Sequence, residues 1–103
     1  MEYSMITGKQ RSYLRKLGQE LDPLVFIGKN DVTDTVIREL DKLLTARELV
    51  KVKIQEGSLL EAKPVANELA EMLNADFVQA IGRKFVLYRP APKKEDRKIE
   101  LPR

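Results

Sequence analysis

Apolar and polar residues follow two periods along the chain, and each change of period marks the border of a predicted helix or strand. Thr7 and Gln10 have the spacing of a capping box, so a first helix should begin there and end before Pro23. Its apolar face would carry Tyr13, Leu14, Leu17 and Leu21. The opposite face would carry four cations, Lys9, Arg11, Arg15 and Lys16.

The next pattern predicts a strand, a tight loop and a second helix. Leu24–Ile27 is an unbroken apolar run, which favours a short buried strand. Thr33 should cap a helix that continues to about Ala46, because apolar residues recur there at steps of three and four. The loop between these elements contains Gly28, Lys29 and Asn30.

A second strand and a third helix follow. Leu49–Ile54 alternates apolar and basic residues, which predicts one buried and one solvent-exposed face. Lys51 and Lys53 share the exposed face, where we expect them to contact solvent, although a basic stripe on a sheet can also follow a phosphate backbone. Pro64 fits the first turn of a helix that should end near Asn74. The apolar side of that helix would carry Val65, Leu69, Met72 and Leu73.

The chain should close with a β-hairpin and a charged tail. Phe77–Ile81 and Phe85–Arg89 are predicted strands, and Gly82, Arg83 and Lys84 form the basic turn between them. Residues 91–103 should form a charged tail with little to bury, although Ile99 and Leu101 could dock on the body. Residues 1–5 are expected to be a flexible N-terminus.

The element order α-β-α-β-α-β-β predicts a single α/β domain over residues 6–90. Two strand-helix-strand units require right-handed crossovers, and the final hairpin adds antiparallel pairing. We therefore expect a four-stranded mixed sheet covered by helices.

Composition removes several classes of enzyme. The 103 residues include neither cysteine nor histidine, which excludes thiol nucleophiles, disulfides, the usual zinc sites and histidine general bases. A nuclease that uses carboxylates and a metal is an alternative, but no paired carboxylate spacing stands out, and no cofactor or metal is expected. No long apolar run and no signal-peptide pattern is present, so we expect a cytoplasmic protein without a membrane segment.

Positive charge is concentrated at the two ends of the sequence. Residues 6–29 have a net charge of +3, residues 30–81 of −4 and residues 82–103 of +5. If the fold brings the ends together, one face becomes a basic field that attracts a polyanion. The alternative is that these cations only solvate the surface.

The strand-to-helix loop is a candidate phosphate site. Unpaired N–H groups and the positive end of a helix dipole meet there, and Lys29 and Asn30 add a cation and an amide. Most strand-to-helix turns bind no ligand, so the pattern alone does not decide whether this loop binds phosphate. Arg83 and Lys84 at the hairpin tip, and the cations of the first helix, are further candidates with the same alternative of ordinary surface roles.

Four segments of the chain, residues 7–11, 25–30, 49–53 and 79–89, form a recognisable pattern when taken in order. Together they resemble the YhbY family, the stand-alone bacterial form of the chloroplast RNA splicing and ribosome maturation (CRM) domain, and the similarity covers nearly the whole chain. The resemblance implies a fold similar to the C-terminal domain of translation initiation factor three. It also implies a protein that binds RNA and is associated with maturation of the large ribosomal subunit.

On this basis we expect a monomer that contacts ribosomal RNA precursors in the precursor of the 50S particle, with no small-molecule substrate. Backbone-directed contact should dominate, because only 6% of the residues are aromatic. The predicted RNA-binding residues are Gly28, Lys29, Asn30, Arg83, Lys84, Lys9, Arg15 and Lys16. The alternative is a module whose basic face binds an acidic protein.

Asp31 departs from the family pattern. The resemblance implies a Gly-x-x-Gly loop that approaches the RNA backbone, but Asp31 occupies the place of the second glycine. A carboxylate there repels a phosphate, and it could also cap the following helix itself. We therefore expect Asp31 to weaken this loop as a phosphate site.

Overall fold

The computed structural model describes residues 6–29 and 31–103, and it confirms the predicted order of helices and strands. Their bounds are α1 Gly8–Gln19, β1 Val25–Ile27, α2 Asp34–Arg47, β2 Leu49–Ile54, α3 Ala62–Met72, β3 Asp76–Ile81 and β4 Lys84–Tyr88. A short 3₁₀ turn, Lys94–Asp96, follows in the tail. Within the described residues, none of the helices combines the length and the apolar character needed to cross a membrane.

The predicted helix starts are confirmed. Thr7 Oγ1 accepts a hydrogen bond from the Gln10 N–H, and the Gln10 side chain accepts one from the Thr7 N–H, which completes the capping box. At α2, Thr33 Oγ1 accepts from the Val36 N–H. Local hydrogen bonding therefore sets where both helices begin.

The four strands form one mixed sheet in the order β1-β2-β4-β3. β1 and β2 are parallel, whereas β4 is antiparallel to both β2 and β3. The C-terminal ends of β1, β2 and β3 and the start of β4 consequently lie at the same end of the sheet. We call this the loop end, formed by Gly28–Lys29, Gln55–Ser58 and Gly82–Arg83.

Helices cover both faces of the sheet, but not equally. α2 and α3 cover one face, where Val25, Ile27 and Val52 join the larger core. α1 packs on β2, β3 and β4 on the other face, over a smaller core. The buried residues of that smaller core are Leu14, Leu49, Val78, Val86 and Tyr88. A register shift between Phe77 and Gln79 places Val78 and Gln79 together on the α1 face.

Three sequence predictions of burial are wrong, one of them at Tyr13, which was expected on the apolar face of α1 but is 37% exposed. Leu24–Ile27 was expected to be buried throughout, but β1 has only three residues, and Leu24 and Phe26 are 39% and 61% exposed. β1 is an edge strand, and α1 packs on the other three strands, so only one face of β1 is covered. Met72, expected on the apolar side of α3, is exposed at the last residue of the helix.

The tail is part of the folded body. Ile99 and Leu101 pack on the smaller core, which confirms that they dock. Glu48, which has a left-handed backbone with φ 70°, is fully buried and anchors the tail. Its carboxylate accepts hydrogen bonds from the N–H groups of Ala91, Lys98 and Ile99 at 2.7, 2.8 and 3.0 Å. None of the tail residues is itself buried, so the tail is charged and largely exposed but is fastened to the body by these contacts.

Candidate nucleic-acid interface

Two loops meet at the loop end of the sheet. The Gln55 N–H donates to the Ile27 carbonyl at 2.8 Å, which holds the loop after β2 against the end of β1. The Lys29 side chain lies along Gly57, where an added Cβ would be 3.5 Å from Lys29 Cε. The exposed Lys29 ammonium is thereby carried on a surface made by both loops.

Gly28 leaves an open space at this surface. Its backbone does not adopt the left-handed conformation, and an added Cβ would meet nothing closer than Gln55 Oε1 at 3.8 Å. Folding therefore does not require glycine at this position. What the missing side chain provides is a backbone that another molecule can approach closely.

Asp31 does not cap α2, contrary to the expectation that it could. Its carboxylate accepts from the N–H of the next residue, Val32, at 2.7 Å, and Thr33 caps the helix. The carboxylate thus remains in the loop, exposed and close to the start of α2. Asn30, predicted to contact RNA, lies outside the described residues.

Arg83 links the hairpin tip to the loop after β2. Its guanidinium donates to the carbonyl oxygens of Ile54, Gln55 and Ser58 at 3.3, 3.2 and 2.8 Å. The preceding residue, Gly82, has φ 61°, as the tight turn requires. Arg83 therefore lies at the loop end as predicted, but its Nε and Nη2 donors are directed at protein carbonyl groups.

An open groove of about 440 Å³ lies beside the end of α1, on the face that α1 covers only in part. We call it the lysine groove, and its walls include Gln19, Lys51, Lys53, Glu56, Gln79, Ile81, Arg83 and Lys84. Among the described residues, no acidic side chain forms an ion pair with Lys51, Lys53 or Lys84. Lys51 and Lys53 share the predicted face.

The cations of α1 do not act as one group. Arg11 and Arg15 donate through Nε to the β3 carbonyls of Phe77 and Val78, at 3.3 and 3.5 Å. Lys9 is exposed in the first turn of α1, at the end of the helix remote from Gln19 of the groove. Lys16 is exposed in the last turn of α1, the turn that also contains Gln19 of the groove.

Of the predicted site residues, the structure brings together Gly28, Lys29, Arg83 and Lys84. It separates Lys9 from them and places Arg15 against β3. Sequence analysis did not select Phe26, and it favoured solvent contact for Lys51 and Lys53, with contact to a phosphate backbone as the alternative. Their shared face could be predicted from alternation, but the exposure of Phe26 depends on how far α1 extends over the sheet.

The aromatic residues of β4 are not available to a ligand. Phe85, expected in the core, and Tyr88 are both 1% exposed. Burial raises the pKa of the Tyr88 hydroxyl, with smaller contributions from Glu48 and Asp76 in the same direction, whereas Arg97 lowers it. Within residues 6–29 and 31–103, no three acidic side chains converge as a metal site would require.

Comparisons with known proteins identify relatives over nearly the whole chain. The model of the CRS1 / YhbY (CRM) domain matches residues 6–89. The chain is 38% identical to "Probable RNA-binding protein YqeI" of Bacillus subtilis over 98 residues, 95% of this chain and 100% of that protein. An "RNA-binding protein" of Haemophilus influenzae is 36% identical over 95% of this chain and 96% of its own length.

A solved structure has the same fold. The solution structure of the Staphylococcus aureus protein SAV1595 superposes with a TM-score of 0.78 at 39% sequence identity. The match covers 95% of this chain and all of that one. The overall fold is therefore shared with an experimentally determined relative.

Proposed function

The chain belongs to the CRS1/YhbY (CRM) domain family, and we propose that it binds RNA, contacting ribosomal RNA precursors during assembly of the large ribosomal subunit. The names of the Bacillus and Haemophilus relatives support RNA binding. The ribosomal part of the proposal rests on the resemblance to the YhbY type.

The observation that carries the proposal is the gathering of cations around the loop end. Lys29 lies on the joined loops, and Lys51, Lys53 and Lys84 line the adjacent groove. Cations that line a concave surface focus a positive potential and raise the local concentration of a polyanion. Such a surface suits the phosphate backbone of RNA.

The same surface indicates which part of the RNA the protein contacts and which residue only positions the contacting side chains. The lysines supply charge without a fixed direction, which favours backbone contact over reading of base edges. Arg83 holds the loop that carries Gly57 and so positions Lys29 indirectly. In this mechanism the protein is a monomeric binding module and not an enzyme.

A salt titration tests the proposal. Binding of a structured ribosomal RNA fragment is compared for the wild type and a Lys29→Ala/Lys84→Ala variant. The matched control is Lys42→Ala/Arg47→Ala, which removes two exposed cations from α2, on the opposite side of the sheet. Arg83 is left unchanged because its loss would disturb the loop end.

We expect weaker binding and a shallower salt dependence for the loop-end variant. The slope of log affinity against log salt should decrease by about 0.7 to 0.9 for each lost phosphate contact. Equal slopes for the two double variants would contradict the proposed surface. Affinity for an acidic protein that survives excess RNA would instead favour the protein-interaction alternative.

A further inference from the structure

One residue from each strand forms a single row across the open face of the sheet. Phe26 on β1 is in register with Lys53 on β2, Lys53 with Lys84 on β4, and Lys84 with Ile81 on β3. Their strand neighbours Val25, Val52 and Phe85 point into the larger core, so the row faces the other way. With strands about 4.8 Å apart, the row spans about 14 Å.

The row has an apolar residue at each end and charge in the middle. Phe26 is 61% exposed and Ile81 is 64% exposed, whereas α2 and α3 cover the opposite face of the same strands. Lys53 and Lys84 between them have no ion-pair partner among the described residues. The Gln79 amide lies in the same groove and offers both a donor and an acceptor.

We propose that this row binds an unpaired nucleotide of RNA, with the base stacked on the Phe26 ring and the adjoining phosphates on Lys53 and Lys84. The inference rests on the proposed function, and it specifies that this part of the surface binds an unpaired segment of the RNA. An exposed aromatic ring beside lysines is the combination that single-stranded nucleic acid requires, since each base offers a flat face and each linkage a charge.

The geometry favours unpaired over duplex RNA. Bases inside a duplex are already stacked on their neighbours, so the ring of Phe26 has no free base to meet there. An acidic peptide would satisfy the two lysines, but its carboxylates have no aromatic face to stack on the ring, and their charge is repelled by the negative face of the ring. The pairing of ring and charge therefore selects a nucleotide.

The experiment compares two probes of the same sequence. One is a single-stranded RNA of about 12 nucleotides containing 2-aminopurine, and the other is the corresponding blunt duplex. The variants are Phe26→Ala, Phe26→Leu and Phe26→Tyr. Met72→Ala is the matched control, because Met72 is equally exposed but lies on α3, against the other face.

We expect Phe26→Ala and Phe26→Leu to weaken binding of the single strand by about five-fold or more. In the wild-type complex, stacking on Phe26 should change the fluorescence of 2-aminopurine, and these two variants should reduce that change. Phe26→Tyr should bind as the wild type does, and duplex binding should be unchanged in all variants.

Two results would overturn the inference while the proposed function stands. The first is that Phe26→Ala binds the single strand as tightly as the wild type does. The second is that Phe26→Leu does so, which would indicate a general apolar contact and not base stacking. Failure of the wild type to bind either RNA or the ribosomal fragment would instead remove the proposed function. Because Phe26 is largely exposed, these substitutions should leave the fold intact, which thermal unfolding checks.

Discussion

Lys53 of β2 and Lys84 of β4 are directly opposed in the antiparallel register, and both side chains line the groove beside α1. Like charges placed opposite each other weaken a sheet. The pair therefore lowers stability at the position where the proposed ligand would supply compensating negative charge. A bound phosphate removes the repulsion, so the same feature opposes folding and favours binding.

A charge-reversal cycle tests this relationship. Lys84→Glu should raise the free energy of unfolding by about 0.5 kcal/mol at low salt, because it converts a repulsive cross-strand pair into an attractive one. Lys53→Glu/Lys84→Glu should lose that gain, since two carboxylates repel again. Urea unfolding at low and high salt measures both, and RNA binding should be weaker in each variant. A gain that persists undiminished in high salt would contradict the electrostatic explanation.

Arg83 should contribute mainly to stability. Arg83→Ala removes three hydrogen bonds to carbonyl oxygens and should lower the free energy of unfolding by about 2 kcal/mol. Arg83→Lys should restore little of the lost stability, because one ammonium group cannot reproduce the forked set of donors of a guanidinium. Urea unfolding gives the result. Wild-type stability combined with weak RNA binding would instead assign Arg83 a direct RNA contact.

Asp31 should limit RNA affinity. Asp31→Gly removes a carboxylate from the loop before α2 and should tighten binding by about five-fold at low salt, which corresponds to about 1 kcal/mol of Coulomb repulsion. Asp31→Asn is the control that removes the charge but keeps a side chain. If both variants tighten binding equally, charge is responsible, whereas unchanged or weaker binding with an intact fold would refute the role given to Asp31.

Glu48 should hold the tail in place. Glu48→Gln replaces an acceptor of three N–H groups by an amide that is itself partly a donor, and should cost about 2 kcal/mol. Amide hydrogen exchange at Lys98 and Ile99 should accelerate more than exchange in β2. Glu100→Gln, in the exposed tail, is the control. Unchanged exchange at Lys98 and Ile99 in the Glu48 variant would contradict the anchoring role.

Tyr88 should make the protein sensitive to alkaline pH. Its folded pKa is raised, first by burial, so the folded state holds the hydroxyl proton more tightly than the unfolded state does. This contribution is complete below the unfolded pKa of about 10 and is lost as pH rises through the folded value. Urea unfolding between pH 9 and about 11 should show a steeper loss for the wild type than for Tyr88→Phe. Parallel curves would contradict this assignment.

The elements could be predicted because their signals are local. The capping box at Thr7, the cap at Thr33 and the alternation in Leu49–Ile54 each depend on residues within one or two turns or one strand. Hydrogen bonds and periodicity of this kind are present in the sequence itself. They led to the correct order of helices and strands.

The errors concern positions whose surroundings are set by distant residues. The exposure of Phe26 depends on the edge position of β1 and on how far α1 extends over the sheet. Neither can be predicted from the apolar residues Leu24–Ile27. Arg83 and Lys84 are neighbours of the same charge and both line the groove, yet Arg83 donates to three carbonyl oxygens, whereas Lys84 has no ion-pair partner among the described residues. Their difference comes from the position of the loop after β2.

The burial of Glu48 could not be predicted from the sequence. An isolated acid between a helix and a strand resembles an ordinary surface residue, and its partners are 43 to 51 residues away. Only the docked tail shows why a carboxylate can be buried there, since three N–H groups replace its hydration.

The anchoring of the tail on Glu48 also bears on synthesis of the protein. A nascent chain that has emerged as far as Tyr88 contains every strand of the sheet, but the Glu48 carboxylate would then have to be buried without its three donors. Native burial of that carboxylate becomes favourable only when Ala91 and then Lys98 and Ile99 have been added. The segment that follows β4 therefore decides when the complete fold of the domain can form.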